Sequence, residues 1–161
     1  MSITALKIRD VMTENVVTIK GGDSAKHAAS IMNRFEIGCL VVVEDGVVMG
    51  IMTERDLLRK IVTEDRDPEK TKVSEIMSRP VIVVAPDTPL EEAIKLMVRH
   101  KIKKLPVMER YQGEDRLIGL VTLTDIARFQ PKLIEMMKEL FAKAQEAPPK
   151  RIEKVMNYYV V

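Results

Sequence analysis

Gly50-Ile51-Met52-Thr53-Glu54-Arg55-Asp56 returns 69 positions later as Gly119-Leu120-Val121-Thr122-Leu123-Thr124-Asp125. Each copy has a glycine, two apolar residues, a threonine and, three residues after the threonine, an aspartate. Working outward, Val11-Met12-Thr13-Glu14-Asn15-Val16 aligns with Ile76-Met77-Ser78-Arg79-Pro80-Val81 at an offset of 65 (76 minus 11). The same offset pairs Ala25, Ala28, Ala29 and Met32 with Leu90, Ala93, Ile94 and Met97, then Ile37, Leu40 and Val42 with Ile102, Leu105 and Val107. The offset then grows by four, which places a longer turn at 109–116 than at Asp45-Gly46. The chain is a tandem duplication: a first repeat over 7–63, a linker over 64–71, a second repeat over 72–130, and a C-terminal amphipathic helix and tail over 131–161.

Each repeat spells the same elements. Val16-Val17-Thr18-Ile19 is a short β-branched strand, after which Asp23 or Ser24 caps a helix with Ala25, Ala28, Ala29 and Met32 on one face. Residues 39–43 form an apolar strand, Asp45-Gly46 is a two-residue turn, and 47–52 return as a hairpin partner. Thr53 ends that strand and opens a second helix towards Val62. In the second repeat, residues 81–85 are the strand, and Asp87-Thr88-Pro89-Leu90-Glu91 reads as a cap followed by a proline at the first helical position. Residues 105–108 and 117–121 form the hairpin, and Thr122 opens the closing helix. The fold class is therefore mixed α/β (α+β), with two strand-helix-strand-strand-helix repeats and small sheets. Glu64 to Lys70 reads as a solvated charged linker. Beyond Pro131, the residues Leu133, Met136, Met137, Leu140, Phe141 and Ala144 make one apolar stripe, stopped by Ala147-Pro148-Pro149 before the tail Tyr158-Tyr159-Val160-Val161. The stripe serves either core packing or an interface with a second chain.

Composition narrows the function. A chain of 161 residues, 46% apolar, fills one good core or two small ones, and repeats of this size are marginal alone. Twenty-six Lys and Arg against 24 Asp and Glu give no polyanion-binding bulk charge, and the absence of Trp leaves few platforms for stacking bases, which argues against nucleic acid. No apolar run approaches a membrane span and residues 1–7 do not read as a signal peptide, so no membrane partner is expected and the location expected is cytoplasmic. Cys39 is the only cysteine, and with His27 and His100 it supplies too few soft ligands for a zinc cluster. Cys39 reads as a small buried thiol. Both histidines fall on helices among charged residues, with no nucleophile or carboxylate partner, and are expected to be exposed. No catalytic residue and no metal site is assigned.

Thr-x-x-Asp before an apolar helix is first of all a helix cap, in which hydroxyl and carboxylate satisfy free amides of the first turn. Its setting adds a functional reading. A helix that starts directly after a strand presents free amides where an anion can rest, threonine adds a hydroxyl, and an aspartate accepts both hydroxyls of a ribose. The glycine three residues earlier leaves room for a planar group against the backbone. Together these groups describe half of a nucleotide site.

With Asp10-Val11-Met12-Thr13, Glu75-Ile76-Met77-Ser78, the strand Leu105-Pro106-Val107 and the two Gly-x-x-Thr-x-x-Asp segments in order, the chain resembles a tandem pair of CBS (cystathionine beta-synthase) domains, a Bateman module, over about residues 7–130. The resemblance implies two repeats packed about a pseudo-two-fold axis, with adenosine-containing ligands (AMP, ADP, ATP or S-adenosylmethionine type) in clefts between them and no required cofactor. It implies that Asp56 and Asp125 bind ribose hydroxyls and that Thr53 and Thr122 lie near ribose or phosphate, with Thr124 in the same segment. It places Thr13, Asn15, Val16, Ser78, Pro80 and Val81 along the adenine pocket, and counts Pro106 among the nucleotide-binding residues. Gly38, Cys39, Lys103 and Lys104 align with positions that often contact phosphate. Lys103 and Lys104 put two cations in the second repeat where Gly38 and Cys39 put none in the first, although Arg55 offers one there; the second cleft is thus expected to prefer a nucleotide.

Three classes of function follow. The leading one is a non-enzymatic regulatory sensor, expected as a homodimer acting on an unidentified effector protein. The second is a constitutive dimerisation or assembly module with vestigial clefts. The third, an enzyme or nucleic-acid binder, lacks a catalytic constellation and a basic surface. Whether a cleft takes its aspartate and its adenine-lining segment from one repeat or from both is left open by the sequence.

Overall fold

The computed structural model describes residues 6–144, 153–155 and 158–160. Elements follow the order β1 (Thr18–Ile19), α1 (Ala25–Phe35), β2 (Cys39–Glu44), β3 (Val47–Thr53), α2 (Glu54–Leu57), α3 (Val73–Ile76), β4 (Val81–Val83), α4 (Leu90–His100), β5 (Lys104–Tyr111), β6 (Glu114–Thr122), α5 (Leu123–Phe129) and α6 (Lys132–Ala144). Two short strands, β7 (Glu153–Val155) and β8 (Tyr158–Val160), pair with each other. Both repeats thus show strand, helix, strand, strand, helix, in a mixed α/β fold with small sheets. No helix among the described residues is long and apolar enough to cross a membrane.

The packing units do not follow the order of the sequence. One compact unit gathers residues 16–81, and the other gathers residues 6–15 with 82–144. They are called the Asp56 unit and the Asp125 unit below. The first centres on Ile19, Ala25, Ala28, Met32, Leu40, Met52, Val73 and Ile76. The second centres on Ile8, Leu90, Ala93, Ile94, Leu105, Val121 and Ile126. Ile8 and Val11, from the very start of the first repeat, belong to the core of the second, while Val73, Ile76 and Met77 belong to that of the first.

The local causes are mostly those the residues announce. Ser24 caps α1, its hydroxyl accepting the His27 N–H at 3.1 Å. The strand expected at 16–19 forms only over Thr18–Ile19, which pairs parallel with Val41 and Val42, and the one expected at 81–85 forms over Val81–Val83. Asp45 and Gly46 both take positive φ (48° and 79°), the tight hairpin turn whose twist suits the flanking strands. Gln112 and Gly113 do the same (51° and 82°) in the second hairpin. The four extra residues of repeat two therefore lengthen β5 and β6 by two residues each instead of enlarging the turn, and an even insertion keeps every side chain on its face. Both hairpins also carry a bulge at equivalent places, Val42/Val43 and Val107/Met108.

Two expectations change at α4. The helix begins at Leu90 with Pro89 in the capping position, so Thr88 is no cap; its carbonyl accepts the Ile8 N–H at 2.9 Å. Asp87 instead holds the Arg9 guanidinium through both oxygens, at 3.0 and 3.1 Å, and the Lys7 ammonium at 3.2 Å. These contacts hold the Asp87 carboxyl below its ordinary range, the Arg9 hydrogen bond contributing most. They fasten the leading segment of repeat one to repeat two.

The stripe on α6 resolves towards the core. Leu133 is buried in the Asp125 unit, and Met136, Met137 and Leu140 pack against the same cluster. The side chains of Phe141 and Ala144 and the stop at Ala147-Pro148-Pro149 lie outside the described residues.

Candidate functional site

β3 and β6 each end at the motif threonine, and the following residue starts a helix. In the Asp56 unit Thr53 Oγ1 accepts the Asp56 N–H at 3.3 Å, while Asp56 Oδ2 accepts the Thr53 N–H at 2.9 Å. In the Asp125 unit the same reciprocal bonds measure 3.1 and 2.9 Å. The capping box thus forms in both repeats, stabilising each helix start by about 1 kcal/mol. It uses one oxygen of each carboxylate, and the fate of the other is what separates the two copies.

The motif glycines have a different cause from the one read in the sequence. A Cβ on Gly50 would stand 2.7 Å from Met77 Sδ and 3.0 Å from the Ser78 carbonyl; on Gly119 it would stand 2.5 Å from Met12 Sδ and 3.2 Å from the Thr13 carbonyl. The space assigned to a planar ligand is filled by the leading segment of the other repeat. That segment is also zipped to the motif strand by backbone. Ile51 and Ser78 exchange two N–H···O bonds of 3.0 and 2.8 Å, and Thr13 and Leu120 exchange two of 2.9 Å.

Each unit therefore combines the Gly-x-x-Thr-x-x-Asp of one repeat with the Met-Thr or Met-Ser segment of the other. Gly38, Cys39, Thr53, Arg55, Asp56, Ser78, Pro80 and Val81 fall in the Asp56 unit. Thr13, Asn15, Lys103, Lys104, Pro106, Thr122, Thr124 and Asp125 fall in the Asp125 unit. Val16 parts from Thr13 and Asn15 and belongs with the Asp56 unit, because the chain crosses from one unit to the other at this point.

The surroundings of the two aspartates differ. Asp56 is 6% exposed. Its Oδ1 accepts a hydrogen bond from Ser78 Oγ at 2.9 Å and lies 3.5 Å from Lys60 Nζ, which itself donates to the Ile76 carbonyl at 2.7 Å. Asp125 is half-buried, and its Oδ1 has no partner among the described residues. The position equivalent to Lys60 is Phe129, which is exposed.

The flanking residues separate as well. Cys39 lies opposite Thr53 and is buried, as a small thiol there should be. Lys104 lies opposite Thr122, at the strand end where the helix carrying Asp125 begins. The Lys103 carbonyl accepts the Leu123 N–H at 2.8 Å, and the residue lines a cavity of about 410 Å³ with Met97, Val98, Ile102, Leu123 and Met137. Arg55, Thr13, Asn15, Ser78 and Thr124 are exposed, Val81 and Pro106 buried.

Two features escaped the sequence reading. Lys60 could have been noticed one helical turn after Asp56, with no cation at the matching Phe129. His100 was expected to be exposed, yet its Nε2 is buried without a hydrogen-bond partner among the described residues. Burial, followed by the neighbouring Arg99 charge, pushes its pKa below the usual imidazole value. His27 is exposed as expected.

The profile of the CBS domain matches twice, over residues 8–63 and 73–132. The chain is 36% identical over 143 residues to the uncharacterized protein MK0525 of Methanopyrus kandleri, covering 88% of this chain and 71% of that one. It is also 36% identical over 120 residues to the CBS domain-containing protein YhcV of Bacillus subtilis, covering 74% and 82%. Among solved structures, the CBS domain pair of protein MJ0100 in complex with 5-methylthioadenosine and S-adenosyl-L-methionine superposes with a TM-score of 0.70 at 27% identity, covering 80% of this chain and 98% of that one. Two matched repeats, each supplying the motif to one unit and the leading segment to the other, make this chain a member of the CBS domain family.

Proposed function

We propose that the protein is a non-catalytic regulatory module that binds an adenosine-containing ligand of the AMP, ADP, ATP or S-adenosylmethionine type. The observation that carries this reading is the Oδ1 of Asp125, held by the Thr122 cap at the end of β6 and without a donor among the described residues. A carboxylate fixed in this way accepts the hydroxyls of a ribose without first breaking an internal bond. Lys104 on the neighbouring strand offers a charge-assisted contact to a phosphate or carboxylate, and Glu14 and Asn15, just past the Thr13–Leu120 pair, offer backbone groups to a base. The adenosyl compounds bound to the MJ0100 pair support the ligand class.

Thermal unfolding with AMP, ATP and S-adenosylmethionine tests the reading. At a hundredfold excess over Kd a ligand stabilises by about 2.7 kcal/mol, roughly 5 to 10 °C for a chain of this size. An unchanged melting temperature with all three compounds would count against it.

A homodimer is part of the same proposal. Phe35, Leu58 and Val62, at the end of α1 and just after α2, are 54%, 58% and 69% exposed, an apolar surface that a second copy would cover. The same surface favours the alternative of a constitutive assembly module, in which association persists without any ligand response.

A further inference from the structure

We infer that Lys60 and Ser78 act as a built-in occupant of the Asp56 carboxylate, so that of two sites of one design only the Asp125 site takes a ribose. This rests on the ligand reading above and goes beyond it by assigning the stoichiometry and the residues that set it.

Asp56 has no acceptor capacity facing a free approach. Oδ2 accepts both the Thr53 N–H, at 2.9 Å, and the Thr53 hydroxyl, at 3.2 Å. Oδ1 accepts the Ser78 hydroxyl and faces the Lys60 ammonium. A ribose diol would have to displace a hydroxyl and part a carboxylate that is 6% exposed from the Lys60 ammonium.

Lys60 is itself fixed. Its second anchor, the Ile76 carbonyl, belongs to the segment that carries Ser78, so one ammonium ties the helix after Asp56 to the wall of its own site. Leu58–Val62 form a π-helical turn here, whereas in the second repeat α5 stays a regular helix as far as Phe129, the equivalent of Lys60, and ends there. In the Asp125 unit every part of the device is missing. Phe129 replaces Lys60, Thr13 replaces Ser78 without a bond to Asp125, and Thr122 Oγ1 makes no bond to the carboxylate.

Isothermal titration of the full chain with AMP and with S-adenosylmethionine reads the consequence. The expected result is one ligand per chain, with binding abolished in Asp125→Ala and unchanged in Asp56→Ala. Lys60→Phe combined with Ser78→Ala should bind a second equivalent, which is lost again when Asp56→Ala is added; Phe129 shows that the fold accepts phenylalanine at that place. Two equivalents in the wild type, loss of binding in Asp56→Ala, or a single equivalent in the Lys60→Phe, Ser78→Ala variant would overturn the inference. Urea unfolding without ligand supplies an independent arm. Asp56→Asn should destabilise the wild type more than the Lys60→Phe variant, and equal effects would show that Lys60 does not hold Asp56. Failure of every variant to bind either compound sinks the ligand reading instead, while the urea arm still decides whether Lys60 holds the carboxylate.

Discussion

Ser78 Oγ donates to Asp56 Oδ1 across 2.9 Å, although Ser78 begins the second repeat and Asp56 closes the first. The bond summarises how duplication is used here: motif and wall come from different repeats, so neither copy of the motif is complete within its own stretch of sequence. The tightest consequence falls on the glycines. Gly50→Ala and Gly119→Ala each force a methionine and a carbonyl to move, and each should destabilise by about 1–3 kcal/mol. In urea unfolding, Met77→Ala should absorb much of the Gly50→Ala effect; fully additive losses would mean that the methionine is not what the glycine accommodates.

The capping boxes make a second, smaller prediction. Thr53→Ala and Thr122→Ala should each cost about 1 kcal/mol in chemical unfolding, with serine restoring most of the loss because only the hydroxyl oxygen is needed. Losses well below half a kcal/mol at both sites would show that the caps do not hold these helix starts.

α6 belongs to the fold of its own chain. Leu133 is 4% exposed, so Leu133→Ala should lower stability by about 2–5 kcal/mol. A dimer contact alone would instead leave monomer stability unchanged. Sedimentation of a Leu58→Asp, Val62→Asp variant separates the two surfaces, since these exposed residues should govern association and leave the melting temperature within a few degrees of wild type.

His100 predicts an acid-sensitive limb. Its folded pKa lies below the unfolded value, so near pH 6 the unfolded chain binds more protons than the folded one. Stability is fully present above about pH 6.5 and is lost as pH falls from there through the lower folded pKa. Melting curves from pH 7.5 to 5 should show this decline, and His100→Leu should flatten it. A decline of the same size in the variant would place its origin elsewhere.

Much of this molecule was legible in the residues because the repeat supplied an internal control. The hairpins followed from Asp45-Gly46 and from apolar strands, and the helix starts from Thr53 and Thr122, all short-range signals. What the residues did not reveal depends on long-range packing. Asp87-Thr88 looked like a cap until Arg9 and the Ile8 N–H, both from the opposite end of the sequence, claimed it. Gly50 looked like space for a ligand until Met77 filled it. The pairing of Thr13 with Leu120 and of Ser78 with Ile51 is an exchange between equivalent segments, and an alignment of the two repeats gives the same score whether or not segments are exchanged. The contrast between Lys60 and Phe129 was visible but had no meaning until Asp56 Oδ1 was located.

The two aspartates differ most in whether they can hold an adenosyl ligand. Isothermal titration of wild type, Asp125→Ala and Asp56→Ala with AMP and S-adenosylmethionine measures this directly. The expected result is saturable binding of at least one of the two compounds to the wild type, lost in Asp125→Ala and retained in Asp56→Ala. Binding that survives in Asp125→Ala with unchanged affinity would contradict it.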